Sequence, residues 1–209
     1  MSEKAVSKQL NIIGASGHGK VVADIAIQCG YDKILFFDDD TDVDHCGAYP
    51  VCGTSEDVKD AKGDVFIAIG NASTRSTLMG RFAGKAYPVL IHPSAVVAED
   101  AVIGEGTVVM AGSVINPGTT IGRGVIINTC SSVDHDCAIG DYVHIAVGSH
   151  ICGTVQVGVN TWVGAGATVI NNVSICDNCM IAAGSVVVKN IEESGTYAGV
   201  PAGLMERMS

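Results

Sequence analysis

The stretch Val133-Asp-His-Asp-Cys-Ala-Ile139-Gly-Asp-Tyr-Val-His-Ile145-Ala-Val-Gly-Ser-His-Ile151 repeats a β-branched residue every six positions. Outward in both directions the register holds, from Val97, Ile103, Val109, Ile115, Ile121 and Ile127 to Val157, Val163, Val169, Ile175, Ile181 and Val187. A period of six matches neither the 3.6 of a helix nor the 2 of a single strand. It predicts a hexapeptide-repeat β-helix, in which each short strand sends one β-branched side chain into a narrow axial core. Glycines that follow the register residue (Gly104, Gly122, Gly140, Gly158, Gly164) are expected at the corners, where φ > 0 is needed.

Composition agrees with a thin-cored solenoid. Of 209 residues, 47% are hydrophobic and 16% charged, with 26 glycines and few aromatics. A net charge of −10 argues against nucleic acid or an anionic membrane as the main partner. No apolar run approaches the ~20 residues of a membrane span. The polar segment Met1 to Gln9 does not read as an export signal, so a cytoplasmic location with reduced thiols is expected for the eight cysteines. Cys176 and Cys179 are spaced like half of a zinc knuckle but lack a second pair, so no metal site is expected.

Residues 1–91 read as a separate α/β domain, residues 92–190 as the β-helix, and residues 191–209 as a cap and tail. Leu10 to Gly14, Ile34 to Phe37, Val65 to Ile69 and Tyr87 to Ile91 are strand-like. Lys20 to Cys29 and Ser73 to Phe82 have helical spacing, and Thr54-Ser-Glu-Asp57 has the form of a capping box. Alternating strands and helices imply a parallel sheet, with loops 14–19, 38–40 and 70–75 gathered beyond the strands' carboxyl ends.

Two places could carry chemistry. Gly14-Ala-Ser-Gly-His-Gly19, between a strand and a helix, can present N–H groups to a phosphate, with Asp38 and Asp39 at the next strand end. Its spacing is not the Gly-x-Gly-x-x-Gly dinucleotide fingerprint. The second place is Asp134-His135-Asp136. A carboxylate that accepts the imidazole N–H fixes its tautomer and supports it as a general base, and Asp136 is the favoured partner. With three hexads per coil, residues eighteen apart stack, placing Gly153 against His135 and Ala146 against Asn128. Small Gly153 leaves a backbone N–H open for an oxyanion. His144 falls half a coil away. Cys137 is a remote candidate nucleophile.

These motifs, with Ala68-Ile-Gly-Asn71, Ile91-His-Pro-Ser-Ala95, Asn128 seven residues before His135, and Tyr197-Ala-Gly-Val-Pro-Ala202, together resemble the sugar O/N-acyltransferases of the NeuD/PglD type. The resemblance implies a Rossmann-like N-terminal domain, a left-handed β-helix, a homotrimer and acetyl-CoA as co-substrate between neighbouring β-helices. It implies that Ser16, Gly17, His18, Asp38 and Asp39 hold the nucleotide of a nucleotide-linked amino sugar. His135 would be the base, Asp136 would orient it, and Asn128 would line the site. His144 and the Gly153 N–H would meet the acetyl group, with Ala165 and Ala183 along the pantetheine arm. The expected reaction is N-acetylation, the acceptor a 4-amino-4,6-dideoxyhexose in bacterial glycan biosynthesis. A sialic acid O-acetyltransferase and, from another class, a non-catalytic solenoid scaffold or sugar-sensing subunit are the alternatives.

Overall fold

The computed structural model describes residues 8–205; most of the polar segment Met1 to Gln9 lies outside them. The chain forms two compact units that part between Leu90 and Ile91.

The first unit is built on a three-stranded parallel sheet. Its strands are β1 (Gln9–Ile13), β2 (Lys33–Phe37) and β5 (Asp64–Ile67), in the order β2-β1-β5. A two-stranded hairpin, β3 (His45–Cys46) with β4 (Tyr49–Pro50), intervenes in sequence. Leu10, Ile12, Phe36, Val65 and Phe66 are buried, so both faces of the sheet are covered, as a parallel sheet requires. Helix α1 (Gly17–Gln28) turns Val22, Ala23, Ile25 and Ala26 inward, and helix α2 (Ala72–Arg81) turns in Leu78 and Met79. Asn71 caps α2 by accepting the Thr74 N–H at 2.9 Å. The Asp57 carboxylate accepts the Thr54 N–H at 2.8 Å and opens a 3-10 turn at Ser55–Lys59.

Tyr87 to Ile91 does not form a fourth strand of this sheet. Only Leu90–Ile91 is extended, and it belongs to a sheet of the β-helix. The sheet thus stops at three strands, because the chain has already taken up the six-residue beat.

The second unit is a three-sided parallel β-helix of about six coils. Each side is a sheet of two-residue strands that pair with the strand eighteen residues on, as Val114–Ile115 does with Ser132–Val133. The second residue of each strand is the register residue. From Val109 to Val187 these side chains are at most 3% exposed and form one continuous axial column. The first residue of each strand points outward. One side thus displays Val114, Ser132, His150 and Thr168; the next displays Thr120, Ala138, Gln156 and Ser174; the third displays Ile126, His144, Trp162 and Met180. A cap follows: Ile191 bridges to Ile175, and Thr196–Ala198 pairs with Met180–Ile181 and then with Gly203–Leu204.

The corners correct one expectation. The left-handed residue is not the glycine that follows the register residue but the residue two positions later. Every sixth residue from Gly106 to Gly184 has φ between 55° and 73°, including Cys130, Asp136, Tyr142, Thr154, Asn160, Asn172 and Asn178. The glycines directly after the register residue serve stacking. A Cβ on Gly104 would lie 2.6 Å from the Arg123 nitrogen, and one on Gly164 would lie 2.6 Å from the Ala183 nitrogen.

This separates two glycines two positions apart. Gly166→Ala meets open space and carries only the αL penalty, about 1 kcal/mol. Gly164→Ala drives a methyl into backbone and should cost ~3 kcal/mol, at the upper end of overpacking. Denaturant midpoints of the two variants check the order, and equal losses contradict the stacking role.

Candidate active site

The His135 turn lies where the side displaying Ser132 gives way to the side displaying Ala138. Asp136 adopts φ 58°, which Asp tolerates better than most residues and which folds its carboxylate back toward the preceding ring. Asp136 Oδ2 and His135 Nδ1 are 2.8 Å apart, so Asp136, not Asp134, holds the imidazole. With Nδ1–H donated to the carboxylate, the lone pair is on Nε2. The Asp136 hydrogen bond, aided by the Asp134 charge, raises the His135 pKa above its ordinary value. The side chain is 53% exposed in the isolated chain.

One coil on, Gly153 lies under the ring: a Cβ there would sit 2.6 Å from Nε2. At the same hexad position the N–H groups of His135, Arg123 and Val159 donate to aspartate carboxylates. His135 uses the residue before it, and Arg123 and Val159 use aspartates one coil on; the corresponding residues around Gly153 are Cys152 and Asn171, and neither accepts its N–H, which has no acceptor among the described residues. A basic nitrogen and an unused backbone donor therefore share one corner. Cys137 beneath it is buried; its thiol donates to the His135 and Cys152 carbonyls, and burial raises its pKa, which suits packing rather than nucleophilic attack.

Asn128, His144, Ala165 and Ala183 do not join His135 in one chain. They line a groove of about 460 Å³ on the side that displays His144 and Trp162, together with Ala146, Val147 and Met180. Asn128 Nδ2 lies 3.1 Å from His144 Nε2, and the His144 ring packs against Trp162 at 4.3 Å between centroids, the two planes tilted by 39°. Small residues at 146, 165 and 183 leave a shallow apolar floor. Trp162 is the groove residue that sequence reasoning missed; it occupies the outward position one coil beyond His144, and eighteen-residue stacking points to it.

In the first unit the three loops gather as expected. Asp38 Oδ2 accepts the Ala15 N–H at 2.6 Å and so ties the glycine loop to the end of β2. Asp39 accepts the Ser55 N–H at 2.8 Å and the Ser55 hydroxyl at 3.1 Å, which gives this carboxylate a structural role as well. A Cβ on Gly14 would lie 2.7 Å from the Ala68 oxygen, and one on Gly19 would lie 2.9 Å from the Phe36 ring, so both glycines serve packing. Around Gly17 nothing stands within 4 Å of an added Cβ, and Ser16 at the N-cap makes no side-chain capping bond, so the first turn of α1 is open to a ligand. In the same unit, Asp39, Ile69, Ser73, Thr74, Thr77 and Arg81 line a cavity of about 270 Å³. Arg75 is buried and donates to the Ile69 and Gly70 carbonyls, fixing the third loop. Nothing but its position on the inner face of α2 marked it in the sequence.

His18 is neutral at pH 7. Burial, with Arg75 adding to it, pushes its pKa down to about 4, and Nε2 is buried without a hydrogen-bond partner among the described residues. No group of three or more His, Cys, Asp or Glu among the described residues could hold a metal. Cys176 and Cys179 have their sulfurs 3.5 Å apart, and Cys179 is buried. No helix among the described residues is long and apolar enough to cross a membrane.

Residues 9–82 match the family described as PglD N-terminal domain, and residues 154–189 match the bacterial transferase hexapeptide family. The GDP-perosamine N-acetyltransferase of Escherichia coli O157:H7 is 32% identical over 156 residues, covering 70% of this chain and 71% of that one. The chain belongs to the PglD family of sugar N-acetyltransferases. The UDP-N-acetylbacillosamine N-acetyltransferase of Bacillus subtilis is 40% identical over 113 residues, 50% of this chain; the chain matches about half of that relative's length, 52%. The acetyltransferase domain of PglB from Neisseria gonorrhoeae, solved with acetyl coenzyme A, is 38% identical with a TM-score of 0.91, covering 96% of this chain and 100% of that one. PerB from Caulobacter crescentus, solved with CoA and GDP-perosamine, is 36% identical with a TM-score of 0.90, covering 97% and 99%. As in those structures, the α/β unit precedes a left-handed β-helix.

A pH prediction follows from His18. A histidine with a depressed folded pKa contributes stability in full above its unfolded value of 6.5 and loses it as pH falls toward 4. The loss across that window is about 3 kcal/mol at most. His18→Gln should flatten the pH dependence of denaturation between pH 6.5 and 4, and an unaltered profile contradicts burial as its cause.

Proposed function

We propose that this protein transfers the acetyl group of acetyl-CoA to the amino group of a nucleotide-linked amino sugar, a 4-amino-4,6-dideoxyhexose. The observation that carries the reading is the His135 corner: an imidazole oriented by Asp136, with its basic Nε2 against Gly153, whose N–H has no acceptor among the described residues. Bound acetyl-CoA supplies an acyl group activated as a thioester. His135 Nε2 takes the proton from the acceptor amine as its nitrogen bonds to the thioester carbonyl carbon; the C–S bond then breaks, CoA leaves as the thiolate, and the imidazolium, steadied by Asp136, returns the proton to it. The Gly153 N–H donates to the oxygen where negative charge gathers. The groove of Asn128, His144, Ala165 and Ala183 suits a narrow apolar arm: its floor is apolar and its small side chains admit close approach. In the first unit, the open turn at Ser16–Gly17, held to Asp38 through the Ala15 N–H, and the cavity lined by Asp39 suit a nucleotide.

His135 and this groove lie on separate parts of one prism, and the base is exposed in the single chain. A homotrimer in which the corner of one copy meets the groove of the next unites them, and we propose that assembly. Use of acetyl-CoA suits a cytoplasmic enzyme.

His135→Ala should keep the fold and lower turnover by ~10²–10⁴. The assay is thiol release from acetyl-CoA with UDP-, GDP- and dTDP-linked 4-amino sugars and with sialic acid. Unchanged turnover removes His135 from the mechanism, and turnover of sialic acid alone replaces the amine acceptor with a hydroxyl. Because the active imidazole is neutral and its pKa is raised, kcat/KM should fall on the acid side of a midpoint above 6.5. Asp136→Asn should move that midpoint to lower pH. Light scattering should give a mass of three chains; a monomer with full activity contradicts the shared site.

A further inference from the structure

The coil preceding the His135 turn contributes no group to the chemistry described so far, yet four consecutive residues, Asn116-Pro117-Gly118-Thr119, touch that turn at every point. Asn116 Nδ2 donates to Asp134 Oδ1 at 2.8 Å, and the same oxygen accepts the His135 N–H at 2.9 Å. The Pro117 carbonyl accepts the Asp136 N–H at 3.0 Å. Gly118 makes room for the Asp136 carboxylate, since a Cβ there would stand 2.5 Å from Oδ1. Thr119 Oγ1 donates to the Asp134 carbonyl at 2.7 Å and accepts the Cys137 N–H at 3.2 Å.

We propose that this segment is the positioning shelf for the base, and that Asn116 is its key residue, acting on His135 through the carboxylate of Asp134. The inference rests on the reading of His135 as the base. Asp134 makes no side-chain contact with the ring; it fixes the backbone from which the ring projects and places a second negative charge beside it. Asn116 in turn holds that carboxylate in place. The bond from Asn116 comes first among the causes that keep the Asp134 carboxyl below the usual carboxylate range, and the Asp134 charge adds to the raised basicity of His135. The groups that face the ring are few. Its own turn brings the carboxylates of Asp134 and Asp136, and the following coil brings Gly153 under Nε2; the Cys137 thiol is turned to the His135 and Cys152 carbonyls, and the shelf brings no ionisable side chain. Asp100, one coil further back, is held by the Gly118 N–H at 3.0 Å.

The test measures the His135 pKa in the full-length protein by NMR, without substrate, identifying the signal by its loss in His135→Ala. Asn116→Ala lets the Asp134 carboxylate swing into solvent, and Asp134→Asn removes its charge in place. Both should lower the His135 pKa. Both should also lower kcat about tenfold, the order expected for a misplaced base, while KM for acetyl-CoA stays within about twofold. Turnover is read with the nucleotide-linked 4-amino sugar that the wild type acetylates fastest. If Asn116→Ala folds and leaves the His135 pKa and kcat unchanged, the proposal is overturned. If Asn116→Ala does not fold, the nearly isosteric Asp134→Asn decides by the same two readouts. Full turnover in His135→Ala defeats the assignment of the base itself; loss of turnover there beside an unaffected Asn116→Ala defeats only the shelf.

Discussion

The axial column of β-branched side chains is the constraint on which everything else in the β-helix rests. The prism is narrow enough that each strand has room for one inward side chain, and the strands are only two residues long. Such strands have no stability alone. They persist because each is hydrogen-bonded to the coil before and after it while its register residue is excluded from water. A one-residue slip would turn the column outward, so the six-residue beat leaves no freedom in register. The site inherits this rigidity: every residue around His135 is placed by a ladder fixed at an eighteen-residue offset.

That offset explains how residues far apart in sequence become one environment. The Asn116 turn, the His135 turn and Gly153 are successive layers of the same corner. Asn128, Ala146, Ala165 and Ala183 belong to another. Chemistry within a layer is limited to what a tight turn can hold, here an imidazole and two carboxylates. Chemistry between layers depends on what neighbouring coils omit: a side chain at Gly153, a Cβ at Gly118. Functional glycines in this unit are thus absences that keep space for a ring or a carboxylate; Gly118 combines this with a left-handed corner, and Gly153 does not.

The first unit works by the older logic of parallel sheets, in which loops meet beyond the strand ends. Its acidic turn does more structural work than its sequence suggests. Asp38 latches the glycine loop and Asp39 latches the Ser55 turn, so the carboxylates that read as ligand contacts also build the wall a ligand would meet. Structures solved with acetyl coenzyme A and with CoA and GDP-perosamine match 96% and 97% of the chain and so span both units.

The sequence by itself determined the β-helix, its register, the parallel α/β unit before it and the stacking of Gly153 on His135, because all of these follow from periodicities that local sterics and burial enforce. It misread the role of the glycines after the register residues and the span of Tyr87 to Ile91, because neither close packing between coils nor the end of a sheet leaves a periodic trace. Only the tertiary structure decided that Asp136 rather than Asp134 reaches the imidazole, that Asn116 holds Asp134, and that His135 and the His144 groove occupy separate parts of the prism. Those outcomes turn on a left-handed dihedral and on contacts one coil away, where a shift of an ångström separates a hydrogen bond from none.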